Sequence, residues 1–274
     1  MSGQPSMAAH SPAAGPRVAR AAAPWRAWAA LTMVELRLTA RRGENLLVTL
    51  AIPLGLLIFL AGVPLLPPPT AAGVSRVDAL VPGILALAVI STGLVSLGIA
   101  TAFEREGGVL KRLGGAPLPR WALVAAKAAS VAVTVLLQVA LIAVVGWALG
   151  WHPQGGVVGG VVAAAAWLFL GIVAFAGLGL LLAGRLRPEV VLALANGLYL
   201  VCLLVGGVIV PLDRLPAIVA VPASLLPPAL LADLLRGTLV NGGTLAPLEE
   251  LGLAAWAVGA MVVAALTFRV ADEA

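Results

Sequence analysis

The sequence contains very few of the side chains that build metal, redox and nucleophilic sites. Its 274 residues include one cysteine, Cys202, and two histidines, His10 and His152. A single cysteine excludes an internal disulfide and any zinc or iron–sulfur site that needs several cysteines. The two histidines lie far apart in predicted loops. We therefore predict no metal site, no catalytic residue and no cofactor.

Charged residues are also scarce, at 11% of the chain, whereas hydrophobic residues make up 61%. Soluble globular proteins have about a quarter charged residues and just under half apolar ones. The polar residues of this chain are too few to cover the surface of a water-soluble domain. We therefore predict an all-α integral membrane protein, with room for at most about six or seven helical crossings and no large soluble domain.

Six apolar runs have about the length of a membrane-spanning helix. Together they predict a six-helix transmembrane domain over residues 46–268. The predicted spans cover residues 46–66, 79–103, 128–150, 157–184, 190–210 and 251–268.

The segment before the first span is basic and aromatic. Residues 1–24 lack an apolar run long enough for a signal peptide, and we predict a disordered cytoplasmic tail. Residues 25–45 follow a helical pattern with arginines on one side and tryptophans on the other, which is typical of a helix in the membrane interface. Glu35 projects towards the apolar edge of this pattern. The alternative is an ordinary helical extension of the first span.

Between the fifth and sixth predicted spans lies an apolar region, residues 211–250, that contains several prolines. Proline removes a backbone donor and clashes with the preceding helical turn, so this spacing opposes one continuous spanning helix. We predict short exterior or re-entrant helices that dip into the outer leaflet. The prolines are Pro211, Pro216, Pro222, Pro227, Pro228 and Pro247.

Basic residues are distributed unevenly between the two sides of the predicted domain. Counted by loop, 14 of the 17 Lys and Arg residues lie on the side of the N-terminus and three on the other side. Because cytoplasmic loops carry the excess of Lys and Arg, both termini are predicted to be cytoplasmic. Basic loops beside membrane lipids also explain the net charge of +5, so nucleic acid is not predicted as a partner.

The six runs contain no Asp, Glu or His, which argues against an ion-driven transporter and against intramembrane proteolysis. Gln138 and Asn196 are candidates for lining a substrate path, although hydrogen bonding between helices is the commoner role of such residues. Small residues such as Gly177 and Gly179 would permit close helix packing. Lys127, at a predicted helix start, is expected to extend its ammonium group to the lipid headgroups.

The cytoplasmic loop between the second and third spans, residues 104–127, is the most informative segment. It carries charges of both signs and is longer than a connection between neighbouring helices requires. Glu104 and Glu106 are predicted to lie in the N-terminal turn of a short helix that presents Leu110 and Leu113 on one apolar face. Paired glycines and two prolines would then end this helix.

The loop resembles a motif in the membrane subunit of type 2 ABC transporters, particularly the drug-resistance permeases typified by daunorubicin exporters. The family pattern is roughly Phe-Glu-Arg-Glu, one variable residue, Gly-Thr-Leu, a basic pair, Leu, and then Thr-Pro-Leu. The chain departs from it at Val109, Gly114, Gly115 and Ala116. The matching positions are Phe103, Glu104, Arg105, Glu106, Gly108, Leu110, Lys111, Arg112, Leu113, Pro117 and Leu118. The chain is also similar to the family at Glu35, Leu36, Arg37 and Pro53, and over residues 208–216 and 225–237.

The resemblance implies a permease in the plasma (inner) membrane of a bacterium. It would pair with a second permease subunit, identical or different, and the pair would sit on two ABC ATP-binding subunits. The implied activity is export of a hydrophobic compound, drug, lipid or glycan precursor, including multidrug efflux. The residues implied to contact the ATP-binding subunit are Glu104, Arg105, Glu106, Gly108, Leu110, Lys111, Arg112, Leu113 and Pro117.

The chain itself lacks the motif that holds ATP phosphates. Its only lysines are Lys111 and Lys127, and neither follows a glycine, so there is no G-x-x-x-x-G-K-[ST] loop. ATP is therefore expected to be hydrolysed on a separate polypeptide. Two alternatives remain open: a type 2 permease for polysaccharide or cofactor export, and a membrane assembly or scaffold protein without transport activity. In the scaffold case, residues 104–127 would only fix the topology.

Overall fold

A computed structural model describes residues 24–41, 43–63, 73–108, 120–153, 159–242 and 246–267. All regular secondary structure in these ranges is helical. The helices are α1 (Pro24–Arg41), α2 (Gly43–Gly62), α3 (Arg76–Ile90), a π-helical segment (Ser91–Ser96), α4 (Leu97–Glu106), α5 (Arg120–Ala148), α6 (Val161–Arg185), α7 (Pro188–Val205), α8 (Ala217–Ala223), α9 (Pro227–Leu239) and α10 (Pro247–Thr267), with a short 3₁₀ turn at Leu212–Arg214.

Five helices in the described part of the chain are long and apolar enough to cross a membrane. They are the continuous α3–π–α4 helix, α5, α6, α7 and α10. The predicted first span corresponds to α2, which has 20 residues and contains Pro53. The apolar part of α2, Thr49–Gly62, is shorter than the other spans.

The second span is longer than the apolar run alone predicted. It extends over 31 residues, Arg76–Glu106, and so includes charged residues at its ends. It begins with a capping box in which Ser75 and Asp78 each accept a hydrogen bond from the other's backbone N–H. Of the 18 consecutive residues that are its most apolar part, 89% are buried inside the protein. This share is larger than in the other four spans.

Helix α6 lies at the centre of the bundle, where it packs on α10, α4, α9, α5 and α3. Glycines make its closest contacts. A Cβ atom added to Gly179 would lie 2.3 Å from the carbonyl oxygen of Gly93, and one added to Gly177 would lie 2.7 Å from the carbonyl carbon of Ala260. Small residues therefore allow the backbones of the second, fourth and sixth spans to approach each other.

The proline-rich region between α7 and α10 is not one continuous helix. It contains the short helices α8 and α9, which are bent by 88° relative to each other. Arg236 on α9 pairs with Asp233 at 2.7 Å and donates hydrogen bonds to the carbonyl oxygens of Gly207 and Val208. Arg236 thereby fixes α9 to the segment that follows the fifth span.

Candidate functional site

The charged motif at the end of the second span lies in a different place from the one predicted. Glu104, Arg105 and Glu106 occupy the last turn of α4, not the first turn of a separate loop helix. Gly107 caps this helix, and Gly108 follows with φ of 69°, in the left-handed region that favours glycine. The helix therefore ends at the glycine pair directly after the acidic residues. The glycines predicted to end the loop helix, Gly114 and Gly115, lie outside the described residues.

The Glu104 side chain is buried and forms an ion pair inside the protein. Its Oε2 atom lies 2.7 Å from Nζ of Lys127 on α5. The same Nζ atom lies 2.9 Å from Oε1 of Glu35 on α1. The Lys127 side chain is only 1% exposed, so the prediction that its ammonium group reaches the headgroups is wrong. We call these three residues the Glu35–Lys127–Glu104 cluster.

The electrostatics of this cluster explain why a lysine can be buried there. Removing an ammonium group from water costs several kcal/mol, about the same order as for a carboxylate. Two carboxylates within 3 Å of Nζ offset that cost through charge-assisted hydrogen bonds. Glu35 and Glu104 each take part in at least one further interaction. The cluster therefore requires α1, α4 and α5 to be in place together.

Arg105 makes a second connection from the same turn, to the end of the fourth span. Its Nη1 atom donates to the carbonyl oxygen of Gly184 at 2.9 Å, and Nη2 donates to that of Leu186 at 2.6 Å. The last carbonyls of a helix have no partners within that helix, and a cation there also opposes the negative end of the helix dipole. Arg105 therefore caps α6 from the neighbouring span.

The motif is thus divided between buried and exposed side chains. Glu104 and Arg105 face the bundle, whereas Glu106 is exposed and the Phe103 side chain is 45% exposed. Gly108 is half-buried. The other predicted contact residues lie outside the described residues: Leu110, Lys111, Arg112, Leu113 and Pro117.

The structure does not bring the two candidate substrate-path residues together. Gln138 on α5 is 1% exposed, accepts a hydrogen bond from Thr92 Oγ1 at 2.9 Å, and donates to the carbonyl oxygen of Thr49 at 2.9 Å. It bridges the first, second and third spans, which favours the helix-packing alternative. Asn196 is exposed on α7 and donates to the carbonyl oxygen of Leu192 in its own helix.

Sequence reasoning missed Glu35 and Lys127 as partners of the motif. One signal was available, because Glu35 projects towards the apolar edge of an otherwise amphipathic helix. A carboxylate in that position needs a cation within the protein. The pattern alone could not identify that cation.

A cavity of about 350 Å³ lies between the segment that follows the fifth span, α9 and the start of α10. Its lining includes Asp213, Asp233, Glu249 and Arg236. Among the described residues there is no group of three or more His, Cys, Asp or Glu side chains that could hold a metal ion. The charged residues of the lining belong to the 3₁₀ turn, to α9 and to the first turn of α10, so the cavity lies in the region between the fifth and sixth spans.

Comparison with known proteins identifies the family. The model of the ABC-2 type transporter family matches residues 26–240, which is most of the chain. None of the curated proteins compared with the chain matches it. The matched region includes every residue of the Glu35–Lys127–Glu104 cluster and the whole Phe-Glu-Arg-Glu motif. The chain therefore belongs to the ABC-2 type transporter family and is a multi-pass membrane permease.

Proposed function

We propose that this chain is the permease subunit of an ATP-driven exporter whose ATP-binding subunit is a separate polypeptide. Its family membership and its membrane-length helices support a transport role. The observation that carries the proposal is the arrangement at the end of the second span. There, buried ion pairs join α1, α4 and α5, and hydrogen bonds from Arg105 attach the end of α6, so four helices are fixed around the base of a charged loop. A segment that receives force from a partner requires such a base.

The residues of this loop have two roles in the proposal. Glu104 and Arg105 hold the base of the loop on the bundle. Phe103 and Glu106, which are exposed, contact the ATP-binding subunit together with Gly108 and the loop residues Leu110, Lys111, Arg112, Leu113 and Pro117. This division follows from burial, because a side chain that is already paired inside the permease is not available to a partner.

The cargo is a hydrophobic compound, drug, lipid or glycan precursor, and the direction is outward, across the plasma (inner) membrane of a bacterium. A second permease subunit completes the transporter. The exposed Asn196 on α7 supports this, because a polar amide facing lipid tails is costly unless protein or a water-filled path lies beside it. Asn196 is therefore proposed to face the second subunit or the substrate path.

The first prediction concerns topology. We count α2 as a crossing, because its 20 residues span about 30 Å. With the five other spans the number of crossings is even, so both termini lie on the same side, which is the cytoplasmic one. Single cysteines introduced near Arg17 and near Glu273, in a Cys202→Ala background, should resist membrane-impermeant thiol reagents in intact cells. A cysteine at Gly242 should react readily. Labelling at both terminal sites before lysis would contradict the proposed orientation.

The second prediction tests docking of the ATP-binding subunit. Leu110→Asp changes the loop, and Glu106→Lys changes only the exposed last residue of the second span. Neither variant alters the apolar part of a span, so membrane abundance should stay close to that of the parent. Co-purification of the ATP-binding subunit should fall about tenfold or more, because an unmatched charge at a protein interface costs roughly 2 to 5 kcal/mol. Affinity-purified complexes, analysed by mass spectrometry and by ATP hydrolysis, provide the measurement.

The matched control is Leu110→Met, which conserves volume and polarity and should behave as the parent does. If the charged variants insert normally and retain the ATP-binding subunit and its ATP hydrolysis, the loop is only a topological anchor. If the parent co-purifies only with proteins that lack ATP-binding motifs, the membrane scaffold is the correct function and the transport proposal fails.

A further inference from the structure

The cavity between the fifth and sixth spans is lined by more negative than positive charge. Three carboxylates line it, those of Asp213, Asp233 and Glu249, against the single guanidinium group of Arg236. That guanidinium group is already paired with Asp233, at 2.7 Å. Asp213 and Glu249 therefore give the cavity an excess of negative charge.

Charged residues next to the lining do not cancel this excess. Arg214 and Glu250 flank it in the sequence, but they carry opposite charges and are not part of the lining. Residues 243–245, which precede α10, lie outside the described residues and include no charged residue type. A cleft lined by charge of one sign raises the local concentration of ions of the other sign. The cavity should therefore attract a cation.

The size and the apolar surface of the cavity favour an organic cation. Its volume of about 350 Å³ lies within the range of small-molecule sites, roughly 300 to 1,000 Å³. Pro211, Leu212, Leu234 and Ala246 supply apolar lining, which suits a cation with attached carbon groups better than a hydrated metal ion. Asp213 is exposed, so the cavity can be reached from the surface of the protein.

The guanidinium group of Arg236 supplies a second, independent observation. Its two terminal nitrogens donate to Asp233 and to the carbonyl oxygens of Gly207 and Val208. Its Nε atom is buried and has no hydrogen-bond partner among the described residues. A buried donor without an acceptor is costly, and Arg236 lines the cavity. A ligand oxygen that accepts from Nε would remove this cost.

We propose that the cavity is a binding site for an organic ammonium group with an oxygen atom on the neighbouring carbon, as in ethanolamine and other amino alcohols. Asp213 and Glu249 hold the ammonium group, Nε of Arg236 donates to the oxygen, and Leu212 and Leu234 contact the apolar remainder. The site lies within one permease chain, so it does not depend on an ATP-binding subunit.

This chemistry has two sources. One is the ethanolamine headgroup of a lipid in the outer leaflet, because the cavity lies on the exterior side in the proposed topology. The other is a soluble amino alcohol that reaches the site from the medium. Both present the same ammonium and oxygen atoms to the cavity, so the experiment must separate them by the lipid that surrounds the protein.

The test compares three related probes on the full permease in nanodiscs of phosphatidylglycerol, a lipid without an amine. 2-Amino-1-phenylethanol carries the ammonium group and the hydroxyl group, 1-phenylethane-1,2-diol lacks the charge, and 2-phenylethylamine lacks the hydroxyl group. Saturation-transfer NMR titrations, corrected with protein-free nanodiscs, give the affinities. The diol should bind at least about tenfold more weakly than the amino alcohol. 2-Phenylethylamine should bind about fivefold more weakly, the size of one lost hydrogen bond.

The double variant Asp213→Asn and Glu249→Gln keeps the side-chain sizes and removes the excess charge. It should bind 2-amino-1-phenylethanol at least about tenfold more weakly. Its thermal midpoint should match that of the parent, because neither side chain is fully buried. Glu250→Gln is the matched control. It removes a carboxylate next to Glu249 but outside the lining, so its affinity should equal that of the parent.

The lipid composition identifies the source of the amine. Phosphatidylethanolamine added to the nanodiscs should weaken probe binding if its headgroup occupies the site, whereas the same amount of neutral monoglucosyl diacylglycerol should not. Unchanged probe binding in phosphatidylethanolamine would support the site and assign it to soluble amino alcohols.

Three results would contradict the inference. If the diol binds the parent as tightly as the amino alcohol does, the cavity does not select a cation. If the double variant binds the amino alcohol as the parent does, Asp213 and Glu249 do not hold the ammonium group. Equal affinities for the amino alcohol and 2-phenylethylamine would overturn the role assigned to Nε of Arg236.

Discussion

Lys127→Met is expected to lower the free energy of unfolding by about 3 to 5 kcal/mol, the range for breaking a buried ion pair on one side. The substitution keeps the length of the side chain and removes its charge, so two buried carboxylates, those of Glu35 and Glu104, lose their shared cation. The thermal midpoint of the purified permease in lipid nanodiscs, followed by tryptophan fluorescence, measures the effect. Membrane abundance should fall in parallel.

The control for this prediction is the triple variant Glu35→Gln, Lys127→Met and Glu104→Gln, in which every charge of the cluster is replaced by a neutral group. It removes the same ammonium group but leaves no uncompensated carboxylate, so most of the lost stability should return. Glu104→Gln alone should be milder than Lys127→Met, because Glu35 still neutralises Lys127. If Lys127→Met unfolds at the same temperature as the parent, the ion pairs make no contribution and the cluster does not hold these helices together.

Gly179→Ala is expected to destabilise the protein by at least about 2 kcal/mol, within the range for overpacking a tight core. The added Cβ atom would lie 2.3 Å from the carbonyl oxygen of Gly93 and 3.2 Å from that of Leu94. Backbone atoms cannot rotate away as a flexible side chain can, so the second and fourth spans must separate. The loss of stability should appear as a lower thermal midpoint and as reduced abundance of the inserted protein.

Gly259→Ala on α10 provides the comparison. It is the same substitution in a spanning helix, but nothing lies within 4 Å of the added Cβ atom. Alanine has a higher helix propensity than glycine, so this variant should be as stable as the parent or slightly more stable. Equal thermal midpoints for Gly179→Ala and Gly259→Ala would show that the close approach at Gly93 is not needed for the fold.

Local properties of the sequence were enough to predict the all-helical membrane fold. Hydrophobicity over about 20 residues identifies a membrane helix wherever it lies in the bundle. Proline breaks a helix through its own missing N–H, so the bend between α8 and α9 follows from the positions of residues such as Pro222 and Pro227. The extent of the second span was less predictable, because its helix continues from the apolar run into the charged motif.

Local sequence properties did not predict the contacts that the charged side chains of the candidate site make. The family resemblance implied that Glu104 and Arg105 contact the ATP-binding subunit, and this stays a prediction. In the fold, Glu104 binds Lys127 and Arg105 caps the fourth span. A helix turns by about 100° per residue, so a small uncertainty in where a helix ends changes the direction in which its charged side chains point.

The sequence by itself therefore determined that the chain is a set of membrane helices with a proline-broken segment before the last span, and it predicts that the basic loops lie mainly on one side. Only the tertiary structure decided which charges are buried and which pairs of helices touch. Glu35 and Lys127 lie in separate helices, and no periodicity within either helix specifies the other. Their contact depends on how α1, α4 and α5 pack, because burial of an ion pair is a property of the assembled bundle and not of any single segment.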